Sequence, residues 1–363
     1  MKVLHVINSL DTAGAEKLLL ETIPIYNTRG IPTDILVLNG SKFPFYNQLE
    51  SKRICRIHSL GTGALFNPLM IFKIIPFLRQ YPIVHVHLFP SLYWVAIAKM
   101  LSFSKVKLIY TEHATTNTRM ENRFFRLFDK IVYSKFTKIV CISDEVEKSI
   151  KNHLNFAEGR FMLIKNGVNI SNITNAVGYS KEELGLPLLH DDIILIQVSR
   201  FQEQKDQNTL IKSLLYLPQK VHLVLVGEGN LKVDSEQYAN ELALSNRVHF
   251  LGLRLDVPQL LKTADMVVLS THYEGLSLSS IEGLASGKPF VASNVPGLAE
   301  IVEGAGILFE CQNAKELAFE IEKLMTDDGH YATTVSQCLA RAQEYTIDKM
   351  VDKHLELYYS FKN

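Results

Sequence analysis

The sequence predicts an α/β protein built from two doubly wound parallel sheets. The chain has 363 residues, of which 47% are hydrophobic, and this length exceeds what one ordinary hydrophobic core holds. Short β-branched runs alternate with helical stretches, which is typical of parallel strands joined by helical crossovers. The alternation stops once, in a polar segment after residue 166, and then starts again. We therefore expect two domains.

The first domain is expected over residues 1–166. It contains seven short apolar runs, each followed by a turn or a helical pattern, as right-handed crossovers require. The runs are KVLHVI, TDILVL, ICRIH, IVHVHL, KLIYT, KIVCIS and FMLIK.

A linker is expected over 167–190, because that stretch is polar, rich in Asn and Gly, and poorly periodic. A second Rossmann-like domain follows over 191–345, with a C-terminal helix at 346–363 for which a return to the first domain is one option. The strand-like runs of the second domain are DIILIQVS, VHLVLVG, VHFLG, MVVLS, PFVAS and GILF.

The cysteines and the apolar stretches point to a cytoplasmic protein. Cys55, Cys141, Cys311 and Cys338 are far apart and form no CxxC pair, which fits a reducing compartment. The apolar N-terminal stretch is too short for a signal peptide. No stretch approaches the roughly 18 apolar residues of a membrane span.

Charge is balanced over the whole chain but not along it. The formal net charge is +0, yet residues 1–165 hold 22 Lys and Arg against 12 Asp and Glu. A basic half favours an anionic partner, such as a membrane surface or a phosphorylated acceptor. A random split of surface charge is the alternative, and no nucleic-acid partner is expected.

The first strand leads into the turn NSLDTAGAEKLLL, in which Gly14 opens a helix. Backbone N–H groups at such a helix start can approach an anion or a hydroxyl, because glycine has no side chain. The pattern is not GxGxxG, so it does not indicate a dinucleotide site. An ordinary structural turn explains it equally well.

Three histidines lie at or near strand ends, where open α/β sheets bind their ligands. His85 and His87 share one face of a strand, so a metal pair is considered, but no carboxylate or third imidazole is nearby in the sequence. No metal site is therefore predicted. His113 follows KLIYTE, and a neutral imidazole there can bond a sugar hydroxyl or a leaving phosphate. A satisfied turn histidine is the alternative.

In the second half, VSRFQEQKDQNTLIKSL places Arg200 just after a strand and Lys205 near the start of a helix. Two cations at a helix N-terminus suit a diphosphate and can neutralise a leaving group without a metal. An exposed, unrelated pair is the alternative. In the next strand end, LVGEG, Gly227 and Gly229 allow the backbone to approach a nucleoside closely.

The densest candidate stretch is STHYEGLSLSSIEGLASGKPFVAS, which follows the strand MVVLS. Glu274 and Glu282 are separated by seven residues, and Gly275 and Ser277 occupy the loop between a strand and a helix. Backbone N–H groups there can bind phosphate or sugar oxygens, and a carboxylate can hold two vicinal hydroxyls. A plain surface helix would not need this combination.

With these motifs the chain resembles the large bacterial family of retaining glycosyltransferases of the GT-B type, group 1 and family 4-like. The resemblance covers nearly the whole chain. It rests on AGAEKLLL, TEH, KNGVN, SRFQEQKD, LVGEG, VHFLG and the two-glutamate stretch EGLSLSSIEGLASGKPFVAS. The resemblance implies two facing Rossmann-like domains with an interdomain cleft.

The resemblance also implies roles in the second half of the chain. Glu282 would hold the donor ribose, Glu274 would face the transferred sugar, and Arg200 and Lys205 would hold the diphosphate. The backbone of Gly275, Leu276 and Ser277 would complete the phosphate and sugar contacts. The segment around Leu251 and Gly252 would lie by the base.

In the first half, the resemblance places Gly14 near the donor phosphates and the acceptor, and His113 against the donor sugar. One departure concerns the glycine turn, because many relatives have two consecutive glycines where this chain has Ala13 and Gly14. The family needs no metal, since Arg and Lys replace the divalent cation. Retention is implied through a front-face reaction, and whether Glu274 acts as a nucleophile stays open.

The function expected is transfer of a hexosyl or N-acetylhexosaminyl group from a nucleoside-diphosphate sugar, with UDP as the favoured nucleotide, to a glycan or lipid-linked acceptor. The setting would be the biosynthesis of a surface polysaccharide, lipopolysaccharide or capsule, without a cofactor. Two alternatives stay open: a soluble-acceptor transferase, and a noncatalytic nucleotide-sugar-binding partner of a polysaccharide assembly complex.

The stretch NTRMENRFFRLFDKIVYSKFTK is a candidate for peripheral attachment to the inner face of the plasma membrane. On a helix, Phe124, Phe128, Ile131 and Val132 would form one core-facing stripe. Phe125 and three cations would then remain on the surface, where an anionic membrane favours them. These cations are Arg119, Arg126 and Lys130. A solvated helix face is the alternative.

Overall fold

The structure is a computed structural model that describes residues 1–114 and 123–362, with side chains at 123 and 124 left out. The chain divides into two compact units. The first contains Met1–Gly167 and Ile347–Asn363, and the second contains Val168–Thr346. The C-terminal helix is therefore part of the first unit.

The first unit contains a parallel sheet of seven strands in the order β3-β2-β1-β4-β5-β6-β7. Its central strands are buried on both faces, which explains why they read as continuous apolar runs. The strands are β1 (Val3–Ile7), β2 (Thr33–Val37), β3 (Ile57–Ser59), β4 (Ile83–His87), β5 (Lys107–Glu112), β6 (Lys138–Cys141) and β7 (Phe161–Leu163).

Helices join these strands and cover both faces of the sheet, as parallel connections require. They are α1 (Gly14–Thr28), α2 (Pro44–Lys52), α3 (Met70–Gln80), α4 (Ser91–Ser102), α5 (Arg123–Tyr133), α6 (Asp144–Leu154) and the C-terminal α15 (Ile347–Tyr359). Helix α15 packs against α1.

The second unit contains a parallel sheet of six strands in the order β10-β9-β8-β11-β12-β13. The strands are β8 (Ile193–Val198), β9 (Val221–Val226), β10 (Val248–Gly252), β11 (Met266–Leu269), β12 (Phe290–Asn294) and β13 (Ile307–Glu310). The helices are α7 (Ile170–Thr174), α8 (Gln207–Ser213), α9 (Lys232–Glu241), α10 (Val257–Thr263), α11 (Leu278–Ala285), α12 (Ala299–Val302), α13 (Ala314–Thr326) and α14 (Asp328–Ala342).

All thirteen runs expected to be strands form strands, seven in the first unit and six in the second. The expectation of a linker over 167–190 is wrong. Residues from Val168 onward belong to the second unit, where α7 buries Ile170 and Ile173 against α10 and α11. These two isoleucines form a small apolar face. The segment still looks polar by composition, because Asn residues surround them.

Within residues 1–114 and 123–362, no helix combines the length and the apolarity that crossing a membrane requires. Helix α3 is apolar but has only 11 residues, which is about half the length of a membrane span.

Candidate active site

The carboxyl ends of β8, β9 and β10 approach each other closely in the second unit. Gly227 has φ +141°, and a Cβ atom there would lie 2.1 Å from the carbonyl oxygen of Ser199. Its N–H donates to the carbonyl oxygen of Gly252 at 2.8 Å, and Leu251 beside it is half-buried. Only glycine fits this approach, so Gly227 and the end of β10 form one surface, as the nucleoside hypothesis requires.

Lys205 and Glu274 form an ion pair between the amine Nζ and the carboxylate Oε1. Both side chains are mostly buried, with 14% and 5% of their surfaces exposed. The backbone supports the pair, because Lys205 and Thr271 form an antiparallel bridge. The structure thus brings together two residues that the sequence separates by nearly seventy positions.

The loop after Glu274 leads directly into α11, whose N-cap is Ser277. Leu276 is buried, whereas Gly275 and Ser277 are half-buried. The backbone of Gly297 packs closely against this loop, since a Cβ atom at Gly297 would lie 2.1 Å from the carbonyl oxygen of Glu274. A helix start of this kind favours an anion through its first N–H groups and its dipole.

Glu282 lies on α11, one turn beyond its start, and is 4% exposed. It borders a small cavity together with Val198, Leu269 and Ser279. The two glutamates therefore lie on one continuous loop and helix, with Glu274 in the loop before the helix and Glu282 one turn inside the helix.

Arg200 follows β8 at the same carboxyl edge and is exposed. Within the described part of the chain, its guanidinium has neither a hydrogen-bond nor an ion-pair partner. Its backbone is fixed, because the carbonyl oxygen accepts a hydrogen bond from Gln207 Nε2 at 2.9 Å. An unengaged cation on a fixed backbone is suited to an incoming phosphate.

The sequence analysis did not predict a buried polar network that lies beneath this edge. Gln197 Oε1 accepts from the Ser270 N–H at 2.8 Å, and Ser270 Oγ donates to Asp206 Oδ2 at 3.3 Å. Asp206 also caps α8 by accepting from the Thr209 N–H. At the exposed border of this network, Gln204 donates to the Tyr273 carbonyl oxygen at 2.7 Å. The signal was available, since a glutamine stands inside the otherwise apolar strand IILIQV.

In the first unit, Gly14 is the first residue of α1 and is exposed at the carboxyl end of β1. His113 follows β5 and is half-buried. Its Nε2 lies 3.2 Å from Nδ1 of His87, and burial lowers the pKa of His113 to about 4. The imidazole is therefore neutral near pH 7.

The expectation that no third imidazole lies near His85 and His87 is wrong. Strands β1 and β4 pair with His5 opposite His85, which brings His5 into the group. Nitrogen atoms of these three residues lie within 4.8 Å of one another, close enough to be considered for a metal. Because the partner comes from another strand, local spacing could not reveal it.

Helix α5 differs from the expected orientation. Phe128 and Ile131, assigned to the core, are 41% and 44% exposed, whereas Val132 is buried as expected. Arg126 is exposed, but its guanidinium is already engaged, because it donates to the carbonyl oxygens of His153 and Asn152 at the end of α6. Phe124 and Arg119 lie outside the residues whose side chains the structure describes.

The core-facing position of α5 is taken by Asp129, which is 1% exposed. Its carboxylate accepts hydrogen bonds from Tyr93 and from His153 Nε2, the latter at 2.8 Å. A buried carboxylate that is bonded twice can face a core. The helix is thereby rotated, and Phe125 and Phe128 are exposed.

Two family descriptions match this chain, one in each half. Residues 12–172 match Glycosyltransferase Family 4, and residues 181–339 match Glycosyl transferases group 1. The chain belongs to this group 1 and family 4-like class of glycosyltransferases, and its two parallel sheets have the GT-B architecture.

Two named glycosyltransferases are similar to this chain over most of its length. UDP-Gal:alpha-D-GlcNAc-diphosphoundecaprenol alpha-1,3-galactosyltransferase of Escherichia coli is 25% identical over 296 residues, 77% of this chain and 76% of that protein. Putative glycosyltransferase EpsF of Bacillus subtilis is 24% identical over 306 residues, 81% and 79% of the two chains. The expectation of a glycosyltransferase is confirmed at this level.

Solved structures agree on the fold. HepE of Anabaena in complex with UDP-glucose has a TM-score of 0.86 and 24% identity, covering 99% of this chain and 100% of that chain. TarM has a TM-score of 0.78 and 13% identity, with 98% of both chains covered.

Proposed function

We propose that this protein is a retaining, metal-independent glycosyltransferase that moves a hexosyl or N-acetylhexosaminyl group from a UDP-sugar to a lipid-linked glycan in surface polysaccharide biosynthesis. The observation that carries the proposal is the buried Lys205–Glu274 pair beside the start of α11. It places a cation, a carboxylate and helix-start N–H groups at one strand edge. The named relative from E. coli, with its diphosphoundecaprenol acceptor, supports the acceptor class.

The charge of the leaving diphosphate is neutralised by this chain's own cations. Lys205 and the unengaged Arg200 supply two positive charges at the edge where the N–H groups of α11 begin, which is the role that a divalent metal has in other transferases. We propose that turnover requires neither a metal nor a cofactor. Activity unchanged after EDTA treatment supports this, and complete loss contradicts it.

Glu274 orients the transferred sugar instead of attacking it. A glycosyl ester on Glu274 would neutralise the carboxylate and leave the Lys205 ammonium, only 14% exposed, without its counter-charge, which is unfavourable for a mostly buried group. Retention then follows from a front-face reaction in which the leaving phosphate accepts the acceptor's proton. His113 contacts the donor sugar and Gly14 the phosphates, in line with the family pattern.

Glu282→Ala and Glu274→Ala are expected to have different effects. Glu282 holds the ribose, whose contacts persist through the reaction, so its loss weakens UDP affinity about 10- to 100-fold, the loss of one charged hydrogen-bonding group. Glu274 acts on the transferred sugar, so its loss lowers kcat with UDP affinity preserved. Calorimetry with UDP and steady-state kinetics measure both.

Glu241→Ala is the matched control, because that glutamate is exposed on α9, where it accepts a hydrogen bond from Gln237. UDP affinity unchanged in Glu282→Ala, with the control normal, contradicts the ribose assignment.

We propose that the outward face of α5 binds an anionic membrane surface and so brings the enzyme to a lipid-linked acceptor. Phe125, Leu127, Phe128 and Ile131 are between 41% and 68% exposed on this helix. A row of ring contacts, Phe128 to Tyr93 to Phe89 to Phe66, extends the aromatic surface to a second exposed ring. The excess of basic residues before residue 166 provides the attraction to anionic lipid.

Liposome flotation tests this docking. Lys130→Ala is expected to lower binding to anionic vesicles about fivefold, since one interfacial cation contributes about 1 kcal/mol. Leu127→Ser should weaken binding to both anionic and neutral vesicles, because it removes inserted apolar surface. Phe319→Ser is the control, because it changes an apolar position in the second unit that is 56% exposed, against 68% at Leu127. Equal recovery of the native chain on anionic and neutral vesicles contradicts the proposal.

A soluble acceptor is the second candidate. N-acetyl-alpha-D-glucosaminyl L-malate synthase of Bacillus anthracis is 23% identical over 294 residues, and its name indicates a small acceptor. Failure of the native chain to float with any vesicle, combined with transfer to a water-soluble acceptor, would favour this candidate.

A further inference from the structure

A cluster of histidines and tyrosines lies on one face of the first unit's sheet. His5 and His85 are paired across β1 and β4, and His87 lies two residues further along the same face. Helix α1 adds Tyr26, and α15 adds Tyr358; both rings are almost fully buried. His113 lies at the end of this cluster that is nearest the carboxyl edge of the sheet.

The first half of the cluster is a chain of imidazoles. Nε2 of His113 lies 3.2 Å from Nδ1 of His87, and Nε2 of His87 lies 2.9 Å from Nδ1 of His5. Each contact joins the Nε2 of one ring to the Nδ1 of the next.

The second half continues through a phenol. Nε2 of His5 lies 3.4 Å from the hydroxyl of Tyr358, and that hydroxyl lies 2.7 Å from Nδ1 of His85. Nε2 of His85 ends the chain 2.6 Å from Oγ1 of Thr111.

The four imidazoles that form this hydrogen-bonded series are neutral. Burial lowers the pKa of His5 to about 3 and that of His113 to about 4, and it lowers the pKa values of His85 and His87 well below the ordinary value. A neutral imidazole has one N–H donor and one acceptor nitrogen. Once one bond in the chain has a direction, every other imidazole must follow it.

Tyr358 fixes that direction, because a phenol has a single proton to donate. The 2.7 Å contact to His85 is typical of an O–H donor, whereas the 3.4 Å contact to His5 is long. The hydroxyl of Tyr26 is a third partner of this phenol, and whether Tyr358 donates to His85 or to Tyr26, it accepts at the contact to His5. Only the reverse direction would place the phenol's proton in the longer contact. Tyr358 therefore accepts from Nε2–H of His5, His5 accepts from His87, and His87 accepts from Nε2–H of His113.

We propose that His87, His5 and Tyr358 are positioning residues that hold His113 as its Nε2–H tautomer, so that Nδ1 of His113 accepts a hydrogen bond from a hydroxyl of the transferred sugar. The tautomer follows from the first unit alone, and only the sugar contact rests on the proposed function. The site then selects donors that present an O–H group at this position, and it discriminates against analogues in which that group is hydrogen or fluorine.

Metal binding is the competing use of the same side chains. His5, His85 and His87 place nitrogens within 4.8 Å of one another. All six of their ring nitrogens, however, already contact another imidazole or a hydroxyl. The rings of His85 and His87 are also stacked, with centroids 4.5 Å apart. A metal would have to break these bonds, so the hydrogen-bonded chain is the arrangement that we favour.

The test is long-range proton–nitrogen NMR on the full chain labelled at histidine nitrogen, at pH 7 and without ligand. We expect His113, His87, His5 and His85 each to have a protonated Nε2 and a bare Nδ1. A protonated Nδ1 on His113 or His87 overturns the proposal. So does a stoichiometric transition metal in the purified protein with loss of the Nε2–H signals.

Tyr358→Phe tests whether the hydrogen bonds between these side chains, and not only their packing, determine the tautomer of His113. It removes the acceptor of His5, so we expect the Nε2–H signal of His113 to shift although His113 does not touch residue 358. Tyr46→Phe, which removes a buried phenol of the same unit outside the chain, should leave His113 unchanged. A His113 signal that is identical in Tyr358→Phe and the native chain contradicts coupling along the chain.

Titration with UDP-sugars separates this inference from the proposed function. Binding of a transferable donor should shift the Nδ1 resonance of His113, and a donor analogue lacking the bonded hydroxyl should not. If the tautomer is found but a bound donor leaves the Nδ1 resonance unchanged, the proposed sugar contact is wrong, whereas the hydrogen-bonded series of histidines is confirmed. If UDP-sugars do not bind at all, the proposed function fails instead.

Discussion

Lys205→Ala is expected to lower kcat about 10²- to 10³-fold, because it removes a fixed cation from the developing diphosphate charge. The structure adds a second consequence. Glu274 is 5% exposed and its Oε1 is bound by the amine of Lys205, so the variant leaves a buried carboxylate without its counter-charge. Breaking such a pair costs about 3 kcal/mol of unfolding free energy.

Arg200→Ala isolates the catalytic part of this effect. Arg200 is exposed, and no described residue bonds its guanidinium, so its loss should reduce kcat while the unfolding free energy stays the same. Lys323→Ala is the control, since that amine is 45% exposed on α13 and pairs with Glu320 three residues before it. Near-native turnover with the true donor in both Lys205→Ala and Arg200→Ala would contradict the diphosphate assignment.

Acidification is expected to destabilise the first unit steeply between about pH 6.5 and pH 4. Burial lowers the pKa of His5 and His354 to about 3 and that of His113 to about 4. The unfolded chain binds these protons near pH 6.5 and the folded chain does not. The stabilisation is therefore fully present above pH 6.5 and is lost as the pH falls. Each such histidine costs about 2 kcal/mol at pH 5.

His354→Gln measures the contribution of one of these histidines, which lies on α15 with its Nδ1 2.9 Å from the hydroxyl of Tyr26. The slope of the unfolding free energy against pH should become smaller by about 1.4 kcal/mol per pH unit between pH 6 and pH 4, the loss of one titrating proton. His190→Gln is the control, because that side chain is 98% exposed. A slope that is equal in both variants would show that the cluster takes up protons in the folded state.

Periodicity was sufficient to predict the strands of both sheets. Runs such as IVHVHL and VHLVLV are buried on both faces, so local composition and position in the fold agree. The prediction of a linker after Gly167 failed because local composition and position in the fold disagree there. The buried residues of this segment, Ile170 and Ile173, are too few to outweigh the polar residues around them, and packing against α10 and α11 decides their place.

The candidate site divides in the same way. Gly227, Glu274 and Glu282 could be selected because a strand end or a helix start marks each position. The pairing of Lys205 with Glu274 could not, since it depends on how the loops after β8 and β11 meet. The His5–His85 contact depends on the register between β1 and β4, and a reading of each strand alone does not contain that register.

Transfer itself is the most direct test of the central claim. The full chain is incubated with a panel of UDP-sugars and an undecaprenyl-diphosphate-linked acceptor, UDP release is measured, and the anomeric configuration of the new linkage is read by NMR. The account predicts that one donor releases UDP in step with product formation, in the presence of EDTA, and that the product keeps the anomeric configuration of the donor. Absence of UDP release with every donor, or a product of inverted configuration, would contradict it.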